Sequence, residues 1–249
     1  MTVHGLSILA VVPARGGSKS IPRKNLAKIA GRSLIEIAAV TLSNTSELDA
    51  CVLSTDDEEM ADEGRRVGLQ VPFMRPAELA QDRSRAAPMW QHAWLTAEQH
   101  LGTTFDISVL IEPTSPMRVP EDITATINCL VLENHNAAAT ASRNPSHFTP
   151  EKALMLSERN TLEFFYEKGA KYTIRQNIPS YFHRNGLCYA VKRETLLSDG
   201  NIFENDCGAV ITDRPVVDIN EPLDLEFAEF LMKKDQRFGH SAVNKFVTG

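Results

Sequence analysis

The sequence predicts an α/β domain built on a parallel sheet, with a smaller arm inserted into its second half. Three observations carry that reading. Short β-branched runs alternate with helical patterns through the first half, as crossover helices joining parallel strands require. A 43% hydrophobic content over 249 residues supplies the core of one large domain. From Ala137 onward the pattern changes to short strands and a polar, aromatic segment that runs to Arg184. Residues 1–249 therefore read as a single domain, with an inserted arm at about 140–185.

In chain order, Ile8 to Pro13 reads as the first buried strand. Ser33 and Glu36 have capping-box spacing, and Leu34, Ile35, Ile37, Ala38 and Leu42 follow at helical intervals, so Ser33 to Leu42 is a helix laid on the sheet. Ala50 to Thr55 is a strand, with Cys51 to Ser54 its buried part. Asp56 to Glu59 then put carboxylates at the start of a helix over Asp57 to Val67, where they complement its dipole; they are read as caps rather than metal ligands. A turn-rich Pro72 to Pro76 leads to a helix over Ala87 to Leu101 and a strand over Ile107 to Glu112 that stops at Pro113-Thr114-Ser115-Pro116. A helix over Glu121 to Glu133 follows. Beyond it, short strands are expected at Ala137 to Ala141 and Ala153 to Leu156, core strands at Gly186 to Val191 and Ala209 to Val217, and a closing helix at Pro222 to Met232.

Lys+Arg 26 against Asp+Glu 32 gives a net charge of −6, which disfavours a general nucleic-acid-binding surface. The only apolar run near the N-terminus, Leu6 to Val12, is too short to span a membrane, and basic residues follow it rather than precede it. Cys51, Cys129, Cys188 and Cys207 are scattered without C-x-x-C spacing, which suits a reducing, cytoplasmic setting. No histidine pair has metal-ligand spacing on one helix, His147 and His183 read as non-catalytic, and no zinc site is expected. Neither Ser18 nor Ser115 lies in a nucleophile elbow, so covalent catalysis is not indicated.

The first strand runs straight into Ala14-Arg15-Gly16-Gly17-Ser18-Lys19-Ser20 and then Ile21-Pro22-Arg23-Lys24-Asn25. Gly16 and Gly17 let backbone N–H groups approach phosphate oxygens, while Arg15, Lys19 and Lys24 neutralise charge as a pyrophosphate leaves. Arg23 reads equally well as solvent-facing. The loop's place at a strand's C-terminal end favours a ligand site, because open α/β sheets bind ligands there. It is neither a Walker loop nor G-x-G-x-x-G, which disfavours P-loop ATPases and dinucleotide dehydrogenases.

From Ala14 to Asn25 the sequence resembles the cytidylyltransferases that activate N-acylneuraminate and related nonulosonic acids, whose signature loop reads A-R-x-x-S-K-G-x-x-x-K-N. The resemblance continues in order through Leu53-Ser54-Thr55-Asp56, Arg75-Pro76-Ala77-Glu78-Leu79, Pro113-Thr114-Ser115-Pro116-Met117-Arg118, Arg175-Gln176, Asn185-Gly186 and Val217-Asp218-Ile219-Asn220. It implies a three-layer, Rossmann-like fold of the nucleotide-diphospho-sugar transferase type, with a mixed, mainly parallel sheet and a homodimer made through the arm. The implied substrates are CTP and an acidic nine-carbon sugar, and the implied cofactor is Mg2+ or Mn2+. Carried over by position, Arg15, Ser18, Lys19, Lys24 and Asn25 hold the nucleotide with Arg75 nearby, although Arg75 also suits a structural arginine leading the Pro76 turn. Arg175, beside Gln176, meets the sugar carboxylate through its bidentate fork, and Asn185 and Tyr189 line that pocket, Tyr189 also suiting core packing.

The chain departs from the family pattern at three places. Where the family offers D-x-D for magnesium, this chain has Asp218-Ile219-Asn220. Asn220 contributes either a neutral metal ligand or the N-cap of the helix near Pro222. Glu112 stands where the neuraminate enzymes have Gln, and is expected either to share one magnesium with Asp218 or to accept hydrogen bonds from the sugar. Asp82-Arg83-Ser84-Arg85-Ala86-Ala87-Pro88 replaces a serine-rich stretch and looks more like the legionaminate branch. The expected reaction is attack of the sugar's anomeric hydroxyl on the α-phosphate of CTP, with Arg15, Lys19, Lys24 and Asp218 as the catalytic set and no general base assigned. The alternatives are a nucleotidyltransferase for another acidic sugar such as 3-deoxy-octulosonate, and a non-catalytic nucleotide-sugar-binding protein.

Overall fold

The computed structural model describes residues 5–81, 85–166, 178–198, 200, 202–203 and 206–238. The expected arm ligands Arg175 and Gln176, and Asp82 to Ser84 of the third departure, lie outside the described residues.

The strands are β1 (Ile8–Pro13), β2 (Lys28–Ile29), β3 (Arg32–Ser33), β4 (Ala50–Ser54), β5 (Ile107–Leu110), β6 (Ala137–Arg143), β7 (Leu154–Leu156), β8 (Leu162–Phe164), β9 (Phe182–Lys192) and β10 (Cys207–Thr212). The helices are α1 (Leu34–Ser43), α2 (Glu58–Arg66), α3 (Ala86–Leu101), α4 (Pro120–Leu132), α5 (Arg193–Ser198) and α6 (Pro222–Lys234). Six strands form one sheet in the order β10-β6-β9-β5-β1-β4. β9 pairs antiparallel with both β5 and β6, whereas β1 with β4, β1 with β5, and β10 with β6 are parallel. The sheet is therefore mixed and mainly parallel.

Helices cover both faces. Along β1, Ile8, Ala10 and Val12 share one cluster with Ile35, Ala38 and Leu42 of α1, Met60 of α2 and Ile123, Ile127 and Leu130 of α4. Leu9 and Val11 share the other with Met89, Trp90, Ala93, Trp94 and Ala97 of α3 and Leu196 of α5. A strand buried on both faces reads as a continuous apolar run, and β1 is one. On the α3 face, Trp90 Nε1 donates to Ser108 Oγ of β5 at 2.8 Å, so the buried indole carries no unpaired donor. A third, smaller cluster of Ile21, Ile29, Leu34, Ile37, Met117, Val217, Ile219 and Ala228 ties the basic loop and α1 to α6.

The helix starts follow the side chains. Ser33 Oγ accepts from Glu36 N at 3.0 Å, but the Glu36 carboxylate turns to Arg66, so the capping box is half made. Asp57 caps α2, accepting from Met60 N at 3.0 Å. Asn220 does not cap α6: Glu221 holds that position, and the Asp224 carboxylate accepts from both Asn220 N and Glu221 N at 2.8 Å. Two strands end earlier than the apolar pattern suggests. β5 stops at Leu110; Ile111 N still bonds Val11 O, and then Pro113, which has no N–H, and a Ser115 N to Glu112 O turn end the ladder. β10 stops at Thr212, and Val217 belongs instead to the third cluster. β9 runs longer than expected, because its polar outer residues from Phe182 to Arg184 pair with Arg143, Ser142 and Ala141 of β6. β7 and β8 make a separate hairpin within the arm.

Candidate active site

β1, β4 and β5 run parallel, so their C-terminal ends open on the same edge of the sheet. The basic loop leaves β1 there, with Ala14 N bonded to Ser54 O of β4 at 2.9 Å. A cavity of about 570 Å³ lies at this edge. Arg15, Ser18, Lys19, Ser20, Lys24 and Arg75 line it together with Glu112, Pro113, Thr114 and Asn220. The sequence-predicted phosphate loop and two of the three candidate metal ligands thus line one cavity. That volume falls in the range of small-molecule sites.

The loop is held by its neighbours. Gly16 N donates to Asp56 Oδ1 at 2.9 Å, and a Cβ on Gly16 would stand 2.9 Å from Asp57 Oδ2, so this position has no room for a side chain. Gly17 faces open space. Asn25 is buried and turned inward, where its Nδ2 donates to Arg15 O at 3.3 Å. Arg23 is not simply solvated: it pairs with Asp57 at 2.6 Å and with Glu59, both on the α2 side of the loop. Asp56 and Asp57 therefore brace the loop as well as start the helix.

Two cations are pulled into the protein. Burial, followed by the charge of Arg15, holds the Lys24 ammonium below its usual range, against the opposing pull of Asp218, Asp224 and Glu112. Its Nζ donates to Ile219 O at 2.7 Å. Arg75 is 6% exposed, donates through Nε to Ser54 Oγ at 3.0 Å and bonds Ser54 O. Burial lowers its pKa to about 10. Arg75 is both the structural arginine of the turn and a wall of the cavity.

In the same cavity the Glu112 carboxyl is pushed up, first by burial and then by the charge of Asp218. Gly186 makes the space it occupies: with φ of 70°, it would carry a Cβ 2.9 Å from Glu112 Oε2 and in collision with Ser115 Oγ. Arg118 fixes the turn after β5. It is 2% exposed and bonds three main-chain carbonyls: Glu112 O at 2.6 Å, Gly186 O at 3.0 Å and Leu187 O. Asn220 Nδ2 donates to Asp218 Oδ2 at 3.0 Å, leaving its own amide oxygen for another partner. Glu112, Asp218 and Asn220 offer only oxygen donors, the chemistry that suits hard divalent cations, and the charge of Asp218 reaches Glu112.

On the arm side, Asn185 is buried, donates to Ser142 Oγ at 3.0 Å and accepts from Leu187 N at 3.3 Å. Tyr189 sits on β9 between Leu110 and Ala139 and meets Phe203 edge to face at 6.2 Å; burial, then Glu112, raises its phenol. Both support the site from the core rather than from the cavity wall. Arg118 and Arg184 were not singled out as functional from sequence. Arg118 lies inside the Pro113 to Arg118 motif, which was the available signal; Arg184, whose charge reaches Glu112 and Tyr189, carried none beyond its place at the arm's end.

A model of the cytidylyltransferase family matches residues 9–206. The chain belongs to that family. Among its relatives, the CMP-N,N'-diacetyllegionaminic acid synthase of Campylobacter jejuni is 32% identical over 226 residues, 90% of this chain and 94% of that protein. The pseudaminic acid cytidylyltransferase of the same species is 31% identical over 229 residues, 90% of this chain and 96% of that protein. In fold, the chain resembles the solved CMP:2-keto-3-deoxy-manno-octonic acid synthetase complexed with CTP, with a TM-score of 0.67 at 17% identity over 92% of this chain and 99% of that one. Membership makes this cytidylyltransferase an enzyme with a Rossmann-like, mainly parallel sheet.

Proposed function

We propose that this cytidylyltransferase joins CMP to a nonulosonic acid at the cavity between the Arg15 to Asn25 loop and Glu112. The sugar's anomeric oxygen bonds to the α-phosphorus of CTP, the bond from that phosphorus to the bridging oxygen breaks, and pyrophosphate leaves while the hydroxyl proton passes to solvent. The observation that carries this reading is that the cations Arg15, Lys19, Lys24 and Arg75 line one cavity together with the oxygen donors Glu112 and Asn220. Arg15, Lys19 and Lys24 orient the triphosphate and stabilise the charge that builds on the leaving group. Backbone N–H groups at Gly17 and Ser18 approach phosphate oxygens, Gly16 N being held by Asp56, and Asn25 keeps Arg15 in place.

Asp218, Asn220 and Glu112 would hold magnesium or manganese. Such an ion, when bound, neutralises phosphate charge and polarises the reacting oxygen. With Glu112→Gln, the magnesium concentration giving half-maximal rate should rise about tenfold or more. Unchanged magnesium dependence would remove Glu112 from the ligand set.

Legionaminic or pseudaminic acid is the preferred acceptor, by similarity to the two Campylobacter jejuni enzymes. Arg175 and Gln176 are proposed to read its carboxylate. Pyrophosphate release measured with each of the four NTPs against N,N'-diacetyllegionaminate, pseudaminate, N-acetylneuraminate and 3-deoxy-octulosonate tests this. Release with CTP and one of the nine-carbon acids is expected; preference for the octulosonate, or CTP binding without release, would overturn it. A homodimer through the arm is supported by its exposed apolar side chains, among them Leu156, Leu162 and Phe165. No described helix is long and apolar enough to cross a membrane, and the four free cysteines fit a reducing cytoplasm.

A further inference from the structure

At the opposite edge of the sheet, where α4 ends and β6 and β10 begin, side chains scattered in sequence come together. Cys129 and Glu133 are four residues apart, so the end of α4 places them on one face. Asn134 then turns the chain through a left-handed conformation, φ 58°, and brings His135 back over that last turn. One ligand atom from each of Cys129, Glu133 and His135 lies within 4.8 Å of the other two, and His135 Nε2 is 3.4 Å from Glu133 Oε2. From β10's side, Asp206 Oδ1 engages His135 Nδ1 at 2.7 Å. That contact occupies Nδ1 and leaves Nε2, the other nitrogen, towards Glu133.

We propose that Cys129 Sγ, Glu133 and His135 Nε2 form a binding site for a thiophilic divalent cation of the zinc type, with Asp206 as the positioning carboxylate. The donor set is right for such an ion: a thiolate, an imidazole and a carboxylate leave one tetrahedral position for water. A carboxylate on the non-ligating histidine nitrogen is the usual partner in such sites. Binding breaks the Cys129 S–H bond, releases that proton to solvent and forms the metal–sulfur bond, with no oxidant or reductant needed.

A second, independent observation is the glycine beneath the cluster. Gly208 on β10 would carry a Cβ 2.5 Å from His135 Cδ2 and 2.6 Å from Cys129 Sγ. Its φ is ordinary, so close approach of the two ligands, not backbone conformation, excludes a side chain there. A metal here would join the C-terminal end of α4 to the edge strand β10, remote from the catalytic cavity. The spacing Cys129-x3-Glu133-x-His135 has no metal signature in sequence, which is why no zinc site was expected.

Titrating metal-free, full-length protein with cobalt(II) reads the site directly. One equivalent should produce a thiolate-to-cobalt charge-transfer band, and zinc(II) should displace it. An ion held at the catalytic carboxylates gives no such band, because no thiolate lines that cavity. Cys129→Ser should abolish the band, His135→Gln and Gly208→Ala should weaken cobalt binding at least tenfold, and Asp206→Asn should weaken it about 10–100-fold. Cys207→Ser should leave the band intact. Zinc should also raise the melting temperature of the unaltered protein and not that of His135→Gln, whose side chain is 27% exposed and can be replaced without opening the core. Absence of the band in the unaltered protein, its persistence in Cys129→Ser or its loss in Cys207→Ser would overturn the assignment.

Discussion

Lys24 and Glu112 line the same cavity, and burial shifts them in opposite directions, the ammonium down and the carboxyl up. Burial weakens the Lys24 ammonium, and Asp218, Asp224 and Glu112 sustain it. Lys24→Met should therefore lower kcat/KM for CTP about 10²–10³-fold, measured by pyrophosphate release, with little change in melting temperature. Because kcat/KM reports the free enzyme, its alkaline limb should fall below pH 10.5, the ordinary lysine value, and Lys24→Arg should move that limb upward. Glu112 has the reverse sign. A carboxyl whose folded pKa is raised opposes folding once ionised and costs nothing when protonated in both states. Glu112→Gln should accordingly raise the melting temperature of the metal-free protein at neutral pH. That gain should vanish as pH falls below the ordinary glutamate value, and added magnesium should reverse it. The loop was legible in sequence because glycine and cations after a buried strand have few other uses. Arg118 and Arg184 were not, since their roles depend on carbonyls and charges distant in the chain.

Elements place these groups through a few tight contacts. Gly186 is the clearest: its positive φ and the packing of Ser115 and Glu112 leave no room for a methyl group. Gly186→Ala should cost about 1–3 kcal/mol in urea unfolding, and the surviving folded protein should show a higher KM for the sugar because Glu112 is displaced. On the other face, Trp90→Phe removes the only donor given to the buried Ser108 hydroxyl among the described contacts, and should cost about 1–3 kcal/mol with no change in denaturant slope. Helix starts at Ser33 and near Asp57 were readable because capping is local. Of the two roles open to Asn220 in sequence, the cap is not taken: Glu221 holds the N-cap position, and the Asn220 side chain turns to Asp218. β5 was overextended for a similar reason: Ile111 stays buried after the ladder has ended, so apolar character outlasts pairing.

For the whole molecule, the alternating pattern of the first half was enough to predict a parallel sheet, helices on both faces followed from the family resemblance, and the two clusters along β1 show that each face of that strand has its own cover. The antiparallel insertion of β9 was not visible, since strand direction leaves no mark on an apolar run. In the proposed homodimer the arm would meet a second copy through exposed side chains such as Leu162 and Phe165. Phe165→Glu with Leu162→Glu should convert a dimer to a monomer by light scattering, with loss of sugar turnover if residues cross between subunits. β9 has one more consequence. It leaves the arm, passes Asn185 and Gly186 beside Glu112, and ends deep in the core between β5 and β6. On the proposed reading the triphosphate would meet the loops after β1, β4 and β5, whereas the room Glu112 occupies is left by Gly186 on this one later strand. A change where β9 leaves the arm would then be felt at Glu112 without touching the basic loop.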